Sequence, residues 1–254
     1  MRPKIRIVGL LLLLASAVVF GCHAAFPRPS KFSEFPRVTL WAWERPEDLR
    51  SLDPHLYAVA YLDQTILIGD RVSSVPRFQP LQLASSAKVI AVVRVEAPRL
   101  SARVDAAGVV SKVAVLVASS ARKPGVAALQ IDFDATELQR EFYKEVIRAV
   151  RQQMPRGMPL SITALVSWCG RDDWLQGLPI DEAVPMFFRM GGYPHSSGNL
   201  QLQYSIREPL CSATVGVSTD EAWPRIFTTQ RVYLFHPRPW DELAVKNAGK
   251  LLAP

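Results

Sequence analysis

The feature that most constrains the fold is a series of eight short segments rich in β-branched and aliphatic residues. Several of them are separated by stretches with helical periodicity. Strands that alternate with helices pair in parallel, and eight such strands are enough to close a barrel. The sequence therefore predicts an α/β fold, a single (β/α)8 TIM-like barrel over residues 37–254, with short or irregular helices on some connections. The predicted strands are 37–43, 56–62, 87–97, 127–135, 159–168, 182–191, 212–219 and 231–237.

Three connections carry their own signals. An amphipathic helix is predicted for residues 136–154, because their apolar positions recur at helical spacing. A short helix is predicted for residues 44–52, with Pro46 near its first turn, and a further short strand for residues 65–72. The predicted apolar stripe of the helix at 136–154 consists of Leu138, Phe142, Val146, Ile147, Val150 and Met154.

The amino-terminal residues have the layout of a secretory signal. A basic start is followed by an apolar run from Ile7 to Phe20, which is short for a membrane-spanning helix. The sequence Val-Phe-Gly-Cys that ends at Cys22 resembles the lipobox of bacterial lipoproteins, which implies lipidation of Cys22; ordinary cleavage after Ala24 or Ala25 is the alternative. We therefore predict a lipoprotein signal peptide at 1–21 and a proline-rich tether at 22–36. The expected location is the cell envelope, anchored to a membrane and facing the periplasm or the exterior.

Composition narrows the possible partners. Three positive charges of the formal net charge of +7 lie in the predicted signal, and the remaining +4 is spread without a basic run. This disfavours nucleic acid as a partner. The hydrophobic fraction of 49% is enough for one substantial core, and the sequence indicates no cofactor. The oligomeric state is left open.

Alternation within the strands predicts which side chains face the barrel axis. In the fourth strand, Leu129, Ile131 and Phe133 alternate with Gln130, Asp132 and Asp134. If the apolar set packs under the helices, the polar set points inward. The third and fifth strands repeat the pattern, with Arg94, Glu96, Ser161, Thr163 and Ser167 predicted to point inward. Three neighbouring strands thus place polar groups near their carboxyl ends, where barrels of this kind build active sites.

Carboxylates and aromatic residues cluster at the predicted strand ends. Paired carboxylates can act as acid and base, and aromatic faces beside them suit a sugar ring. The candidate catalytic residues are Glu44, Glu96, Asp132, Asp134, Asp220 and Glu221. The candidate substrate-binding residues are Trp41, Trp43, Tyr61, Arg94, Trp168 and Arg189.

Structural roles compete with catalytic ones in the fourth strand. Asp134 with Glu137, or Thr136 with Gln139, has the spacing of a capping box, so one of these residues caps the following helix. Asp132 needs a cation if it is ionised inside a barrel, and Arg94 on the adjacent strand is the natural partner. Two interpretations therefore remain: Arg94, Asp132 and Glu96 form a structural ion network, or the carboxylates form an acid/base pair.

The sequence gives little support for a metal site or a nucleophilic serine. The four histidines, at positions 23, 55, 195 and 236, have no paired spacing, so no metal site is predicted. Ser167 lacks the glycine-flanked turn of a nucleophilic serine. Export would favour a disulfide between Cys169 and Cys211. However, Cys169 follows the fifth strand and Cys211 precedes the seventh, which places them at opposite ends of the barrel and leaves the bond undecided.

Several blocks resemble a bacterial envelope family known as domain of unknown function 3142. The resemblance lies in "LWAWERPEDLRSLDP", "VAYLDQTI", "VRVEA", "LQIDFDATELQREFY", "PLSITALVSWCGRDDWL", "DEAVPMFFRMG", "GVSTDE" and "FHPRPW". It implies a barrel distantly similar to glycoside hydrolases, without an established reaction. The block "DFDATE" is similar to the chitinase motif, but Thr136 stands where that motif has its proton-donating glutamate.

Two functional classes are therefore expected. The first is an enzyme that acts on an envelope or extracellular glycan, as a possible glycoside hydrolase. The second is a non-catalytic glycan-binding or envelope-assembly protein that keeps the barrel scaffold. Fold analogy cannot choose between them.

Overall fold

The computed structural model describes residues 30–98, 106–170, 173–189, 206–225 and 230–252. Eight parallel strands form a closed barrel in the order β1-β3-β6-β7-β8-β9-β10-β11, and β11 pairs with β1 to complete the ring. The prediction of a TIM-like barrel is confirmed. The barrel strands are β1 (Val38–Ala42), β3 (Tyr57–Ile68), β6 (Val89–Glu96), β7 (Val126–Asp132), β8 (Leu160–Leu165), β9 (Glu182–Met186), β10 (Thr214–Ser218) and β11 (Arg231–Phe235).

Three shorter strands lie outside the ring. β4 (Val72–Pro76) pairs antiparallel with the end of β3, and β2 (Glu47–Leu49) pairs with β5 (Leu81–Leu83). The predicted strand at 65–72 is therefore mostly the continuation of β3, past an irregularity between Leu62 and Gln64.

The helix predicted for residues 44–52 is wrong, because long-range bonds hold the centre of this segment as strand β2 (Glu47–Leu49). Glu47 donates its backbone N–H to the carbonyl of Pro80 and accepts the N–H of Trp240 on its carboxylate. The Arg45 guanidinium donates to the carbonyls of His236 and Pro237. Contacts to distant parts of the chain thus outweigh the weak local preference for a helix.

Helices cover the outside of the ring. They are α1 (Ala106–Ser120), α2 (Arg140–Gln153), the single turn α3 (Pro209–Ser212) and α4 (Glu242–Leu251). No described helix has the length and apolarity needed to cross a membrane. The predicted stripe of α2 is confirmed for Phe142, Val146, Ile147, Val150 and Met154, which are buried.

Leu138 departs from that stripe, with 99% of its surface exposed. Residues Glu137–Gln139 form a 3-10 turn before α2 begins at Arg140. The tighter turn changes the angle between successive side chains, so Leu138 does not share the buried face of the α-helix.

The alternation predicted for the strands is confirmed in the packing. Leu129, Ile131 and Phe133 belong to the hydrophobic layer between the barrel wall and the helices. On the inner side, the Trp41 indole Nε1 donates to Gln130 Oε1 at 2.7 Å, and Gln130 Nε2 donates to Ser161 Oγ at 3.0 Å. A hydrogen-bonded chain of polar side chains therefore runs through the barrel interior.

The amino-terminal end of the barrel is closed by the described part of the predicted tether, residues 30–36. Phe32 is fully buried, and the Arg231 guanidinium lies 5.1 Å from its ring centroid. Arg231 Nε also pairs with Glu182 at 3.0 Å, and Tyr233 donates its hydroxyl to the same carboxylate at 2.5 Å. Because this end is filled, the open end of the barrel is the carboxyl end of the strands.

Cys169 and Cys211 form a disulfide, with Cα atoms 5.9 Å apart. The two cysteines do not lie at opposite ends of the barrel, contrary to the prediction. Both lie in the outer layer, where the β8–β9 and β9–β10 connections run side by side: the N–H groups of Arg207 and Glu208 donate to the carbonyl of Cys169. Chain connections that return outside the barrel can therefore bring residues together that their strands hold apart.

Candidate active site

A cavity of about 520 Å3 opens at the carboxyl end of the barrel. It is lined mainly by residues at or just beyond the ends of β1, β6, β7, β8, β9 and β11. This is the position at which barrels of this class bind their ligands. The lining residues are Trp41, Trp43, Arg94, Asp132, Asp134, Thr163, Leu165, Val166, Ser167, Met186, Phe188, Arg189 and Phe235.

The polar floor of the cavity is built by three adjacent strands. Arg94 on β6 is directly beside Asp132 on β7 in the sheet register, and its Nη1 donates to Asp132 Oδ2 at 3.2 Å. Thr163 on β8 donates its hydroxyl to the other carboxylate oxygen at 2.8 Å. Both oxygens of Asp132 are thus held, and the side chain has one orientation.

Burial, assisted by the nearby carboxylate of Asp134, raises the pKa of Asp132 to about 6. The charge of Arg94 and the hydrogen bonds from Thr163 and Arg94 act in the opposite direction but do not cancel the burial. Loss of hydration therefore affects the pKa of Asp132 more than the attraction of Arg94 does. A carboxyl group with a pKa of about 6 is mostly ionised at neutral pH and gains a proton in mildly acidic solution.

Asp134 has a different environment two residues further along the chain. It is exposed to solvent, lines the cavity and makes no hydrogen bond or ion pair with another described residue. The helix start is satisfied by Thr136 and Gln139 instead, because the Gln139 side chain accepts the Thr136 N–H at 2.9 Å. Of the two capping boxes that the sequence allowed, the structure has the second, so the Asp134 carboxylate stays free.

Aromatic side chains form the walls. The rings of Phe188 and Phe235 stack with their centroids 5.5 Å apart, and Trp41 lies 6.0 Å from Phe188. The Arg94 guanidinium lies 5.9 Å from the Trp43 ring centroid. The close approach of Trp41 depends on Gly216, where an added Cβ would come within 3.1 Å of the indole.

Arg189 stands at the rim, with its guanidinium 5.6 Å from the Phe235 ring centroid. Its Nη2 lies 3.3 Å from Asp220, and its backbone N–H donates to Glu221 at 3.2 Å. The backbone of Arg189 has a φ of +57°, which is uncommon for a residue with a side chain. Asp220 and Glu221 therefore hold Arg189 at the rim rather than line the cavity themselves.

Four other predicted site residues lie outside the cavity lining. Glu96 binds Arg94 Nε at 2.8 Å and supports it from the solvent side. Glu44 accepts the N–H groups of residues 78 and 79. Tyr61 points to the outer side of the barrel and donates to Asp63 at 3.0 Å.

Trp168 is the fourth. It is buried in the outer hydrophobic layer and stacks on Trp174 at 4.4 Å. The reason is that β8 ends at Leu165 and the chain turns into a 3-10 helix, Val166–Cys169, which breaks the alternation of the strand. The ring that was expected at the ligand therefore packs under the protein surface.

Part of the apolar lining was not predicted from the sequence. Met186, Phe188 and Phe235 were not proposed as site residues, although each follows the inward parity of its strand. The segments "PMFFR" and "YLFHP" place an aromatic residue at the carboxyl end of β9 and of β11. Parity at these two strand ends was the signal that could have identified them.

Metal ligands do not gather in the described part of the chain: no group of three histidine, cysteine or carboxylate side chains there could hold an ion. His236 is engaged by Thr219, with 2.5 Å between Nδ1 and Oγ1, and its ring lies 4.9 Å from that of Trp240.

Fold and cavity together define a TIM-like barrel with a carboxylate pair and aromatic walls at its open end. Residues 85–184 match a family described as Domain of unknown function (DUF3142). The matched segment runs from just before β6 into β9, so it includes Arg94, Asp132 and Thr163. No curated protein and no solved structure gave a significant match to the chain.

Proposed function

We propose that this protein is a glycan-active barrel of the cell envelope that cleaves or rearranges glycosidic bonds in its cavity. The observation that carries the proposal is the pairing of Asp132 and Asp134 within a cavity walled by Trp43, Phe188 and Phe235. Aromatic faces stack on the C–H faces of sugar rings, and two carboxyl groups in different environments can divide the acid and base roles.

The roles of the two aspartates follow from their contacts. Asp134 is free to reach a glycosidic oxygen or a water molecule, so it serves as the proton-transferring group. Asp132 is fixed by Arg94 and Thr163, so it serves as a carboxylate that stabilises positive charge developing on the sugar. The protonation state of Asp132 makes this charge stabilisation pH-dependent.

A second candidate is a barrel that binds a glycan without cleaving it. It is favoured by the position two residues after Asp134, which is occupied by Thr136 rather than an acid. Glu137 is one residue further and pairs with Arg140 at 3.3 Å, with its side chain 70% exposed. In this case Asp132 and Arg94 are a structural pair at the floor of a binding cleft.

The proposed location is the cell envelope: the protein is exported and anchored to a membrane by a lipid on Cys22. Cys22 and the signal lie outside the described residues, and the proposal rests on their sequence. The disulfide between Cys169 and Cys211 supports it, because such bonds persist in oxidising compartments. Expression of the full chain with radiolabelled palmitate should give a labelled protein that partitions into detergent. Equal labelling of Cys22→Ser would refute the anchor.

The decisive test of function uses the purified full chain in detergent with a panel of envelope and exogenous polysaccharides. New reducing ends would be measured together with retention of the protein by the same polysaccharides. Release of ends that Asp134→Asn abolishes supports the enzyme. Retention without release supports the binding protein, and the absence of both across the panel would overturn the proposal.

A further inference from the structure

Phe78 is a large aromatic side chain with 89% of its surface exposed, an unusual position for such a residue. It lies in the connection of four residues, 77–80, between β4 and β5. This connection is at the carboxyl end of the barrel, on the side of the cavity formed by β1.

The backbone that carries Phe78 is held by the side chain of the preceding residue, Arg77. The Arg77 guanidinium donates to the carbonyls of Trp43 and Arg45, both at 2.5 Å, and to that of Gln79 at 2.9 Å. Charged donors that are satisfied by several carbonyls fix a loop more firmly than neutral ones.

Glu44 holds the same loop from the other side. One of its carboxylate oxygens accepts the N–H of Phe78 at 3.0 Å and that of Gln79 at 2.8 Å. Pro76 precedes the loop and Pro80 is its last residue, and both restrict its backbone further. Glu44 was predicted from the sequence as a candidate catalytic acid. Its contacts instead position the backbone of Phe78.

An exposed aromatic ring on a fixed backbone is suited to binding. Little conformational entropy is lost when such a ring meets a ligand, because the backbone is already ordered. The loop that carries the ring is bonded next to the cavity, since the guanidinium of Arg77 donates to the carbonyl of Trp43, whose own ring lines the cavity.

We propose that Phe78 is an aromatic platform for a sugar ring bound outside the cavity, next to Trp43, and that the ligand is therefore an oligosaccharide rather than a mono- or disaccharide. This inference rests on the proposed glycan function and adds the length of ligand that the site accepts. Glu44 and Arg77 act as positioning residues for the platform.

The test is binding of the full chain to an array of defined oligosaccharides, which carries β-linked glucose and N-acetylglucosamine series from disaccharide to octasaccharide and fragments of bacterial envelope glycans. The wild type should bind longer members of at least one series more tightly than its disaccharide. Phe78→Ala should weaken binding of the longer members about five- to tenfold, as expected for one aromatic contact, and leave the disaccharide unchanged.

Two further variants separate a platform from a general surface effect. Leu56→Ala removes an exposed apolar side chain at the opposite end of the barrel, 58% exposed, and should leave the length preference intact. Glu44→Ala should reduce the length preference in the same direction as Phe78→Ala, and Glu44→Gln, which keeps an acceptor oxygen, should restore much of it.

The possible failures can be told apart. If the wild type binds glycans but Phe78→Ala keeps the full length preference, the platform is refuted and the glycan function stands. If the wild type binds no member of the array, the glycan function fails, and the platform fails with it.

Discussion

Arg94 lies 3.2 Å from Asp132, yet the pKa of Asp132 is raised to about 6 rather than lowered. A cation at this distance favours the charged carboxylate, but the side chain of Asp132 is only 7% exposed and the loss of hydration is the larger effect. Asp134 adds repulsion in the same direction. The floor of the cavity therefore holds a carboxylate whose charge is costly to the folded protein at neutral pH.

This relationship predicts how stability depends on pH. The pKa of Asp132 is higher in the folded state, about 6, than the ordinary value of 3.8 in the unfolded state. Its contribution to stability is therefore fully present below pH 3.8 and is lost as the pH rises through 6. The loss amounts to at most about 3 kcal/mol. Urea unfolding would measure the wild type and Asp132→Asn across this window. As the pH rises, the free energy of unfolding of the wild type should fall relative to that of the variant. A difference that stays constant with pH would contradict the prediction.

A second prediction concerns the donors to Asp132. Arg94 and Thr163 both stabilise its charged form, so Arg94→Gln and Thr163→Val should each raise the pKa of Asp132 above about 6. Carbon-13 NMR titration of the aspartate carboxyl groups measures this directly. Glu96→Gln is the matched control, because Glu96 contacts Arg94 through Nε rather than through the Nη1 that reaches Asp132. A pKa that does not respond to Arg94→Gln would show that the ion pair is absent in solution.

Alternation along the strands was enough to predict the barrel and the floor of its cavity. The apolar residues of β7 had to pack under helices, which left Asp132 facing inward beside Arg94. Features that depend on contacts between distant segments could not be predicted from alternation. The anchoring of Arg77 and Glu44, whose bonds join β1 to the β4–β5 connection, has no local pattern in the sequence.

The disulfide illustrates the same limit. Strand order alone separates Cys169 from Cys211, and only the paths of the two connections outside the barrel bring them together. Trp168 shows a related failure, because the strand ends three residues before it and the alternation no longer applies. Parity is informative within a strand and loses its meaning once the backbone turns.

The disulfide gives a third prediction. It joins residues separated by 42 positions, so opening it should lower the free energy of unfolding by about 3–4 kcal/mol through the greater freedom of the unfolded chain. Urea unfolding with and without dithiothreitol measures the change. The double variant Cys169→Ala with Cys211→Ala is the control, and its stability should not respond to the reductant. A wild type equally insensitive to the reductant under conditions that expose the bond would argue against the pairing.

The fourth prediction separates catalysis from structure at Asp134. Its carboxylate is exposed and makes no hydrogen bond or ion pair with another described residue, so Asp134→Asn should change the free energy of unfolding by no more than about 0.5 kcal/mol. If Asp134 transfers the proton, turnover of the cleaved glycan should fall by about two orders of magnitude or more, while binding of the glycan is retained. Glu137→Gln is the matched control, because Glu137 is an exposed acid three residues away that pairs with Arg140, and its loss should leave turnover intact. An Asp134→Asn protein with the turnover of the wild type would remove this residue from the mechanism and direct attention to Asp220 and Glu221 at the rim.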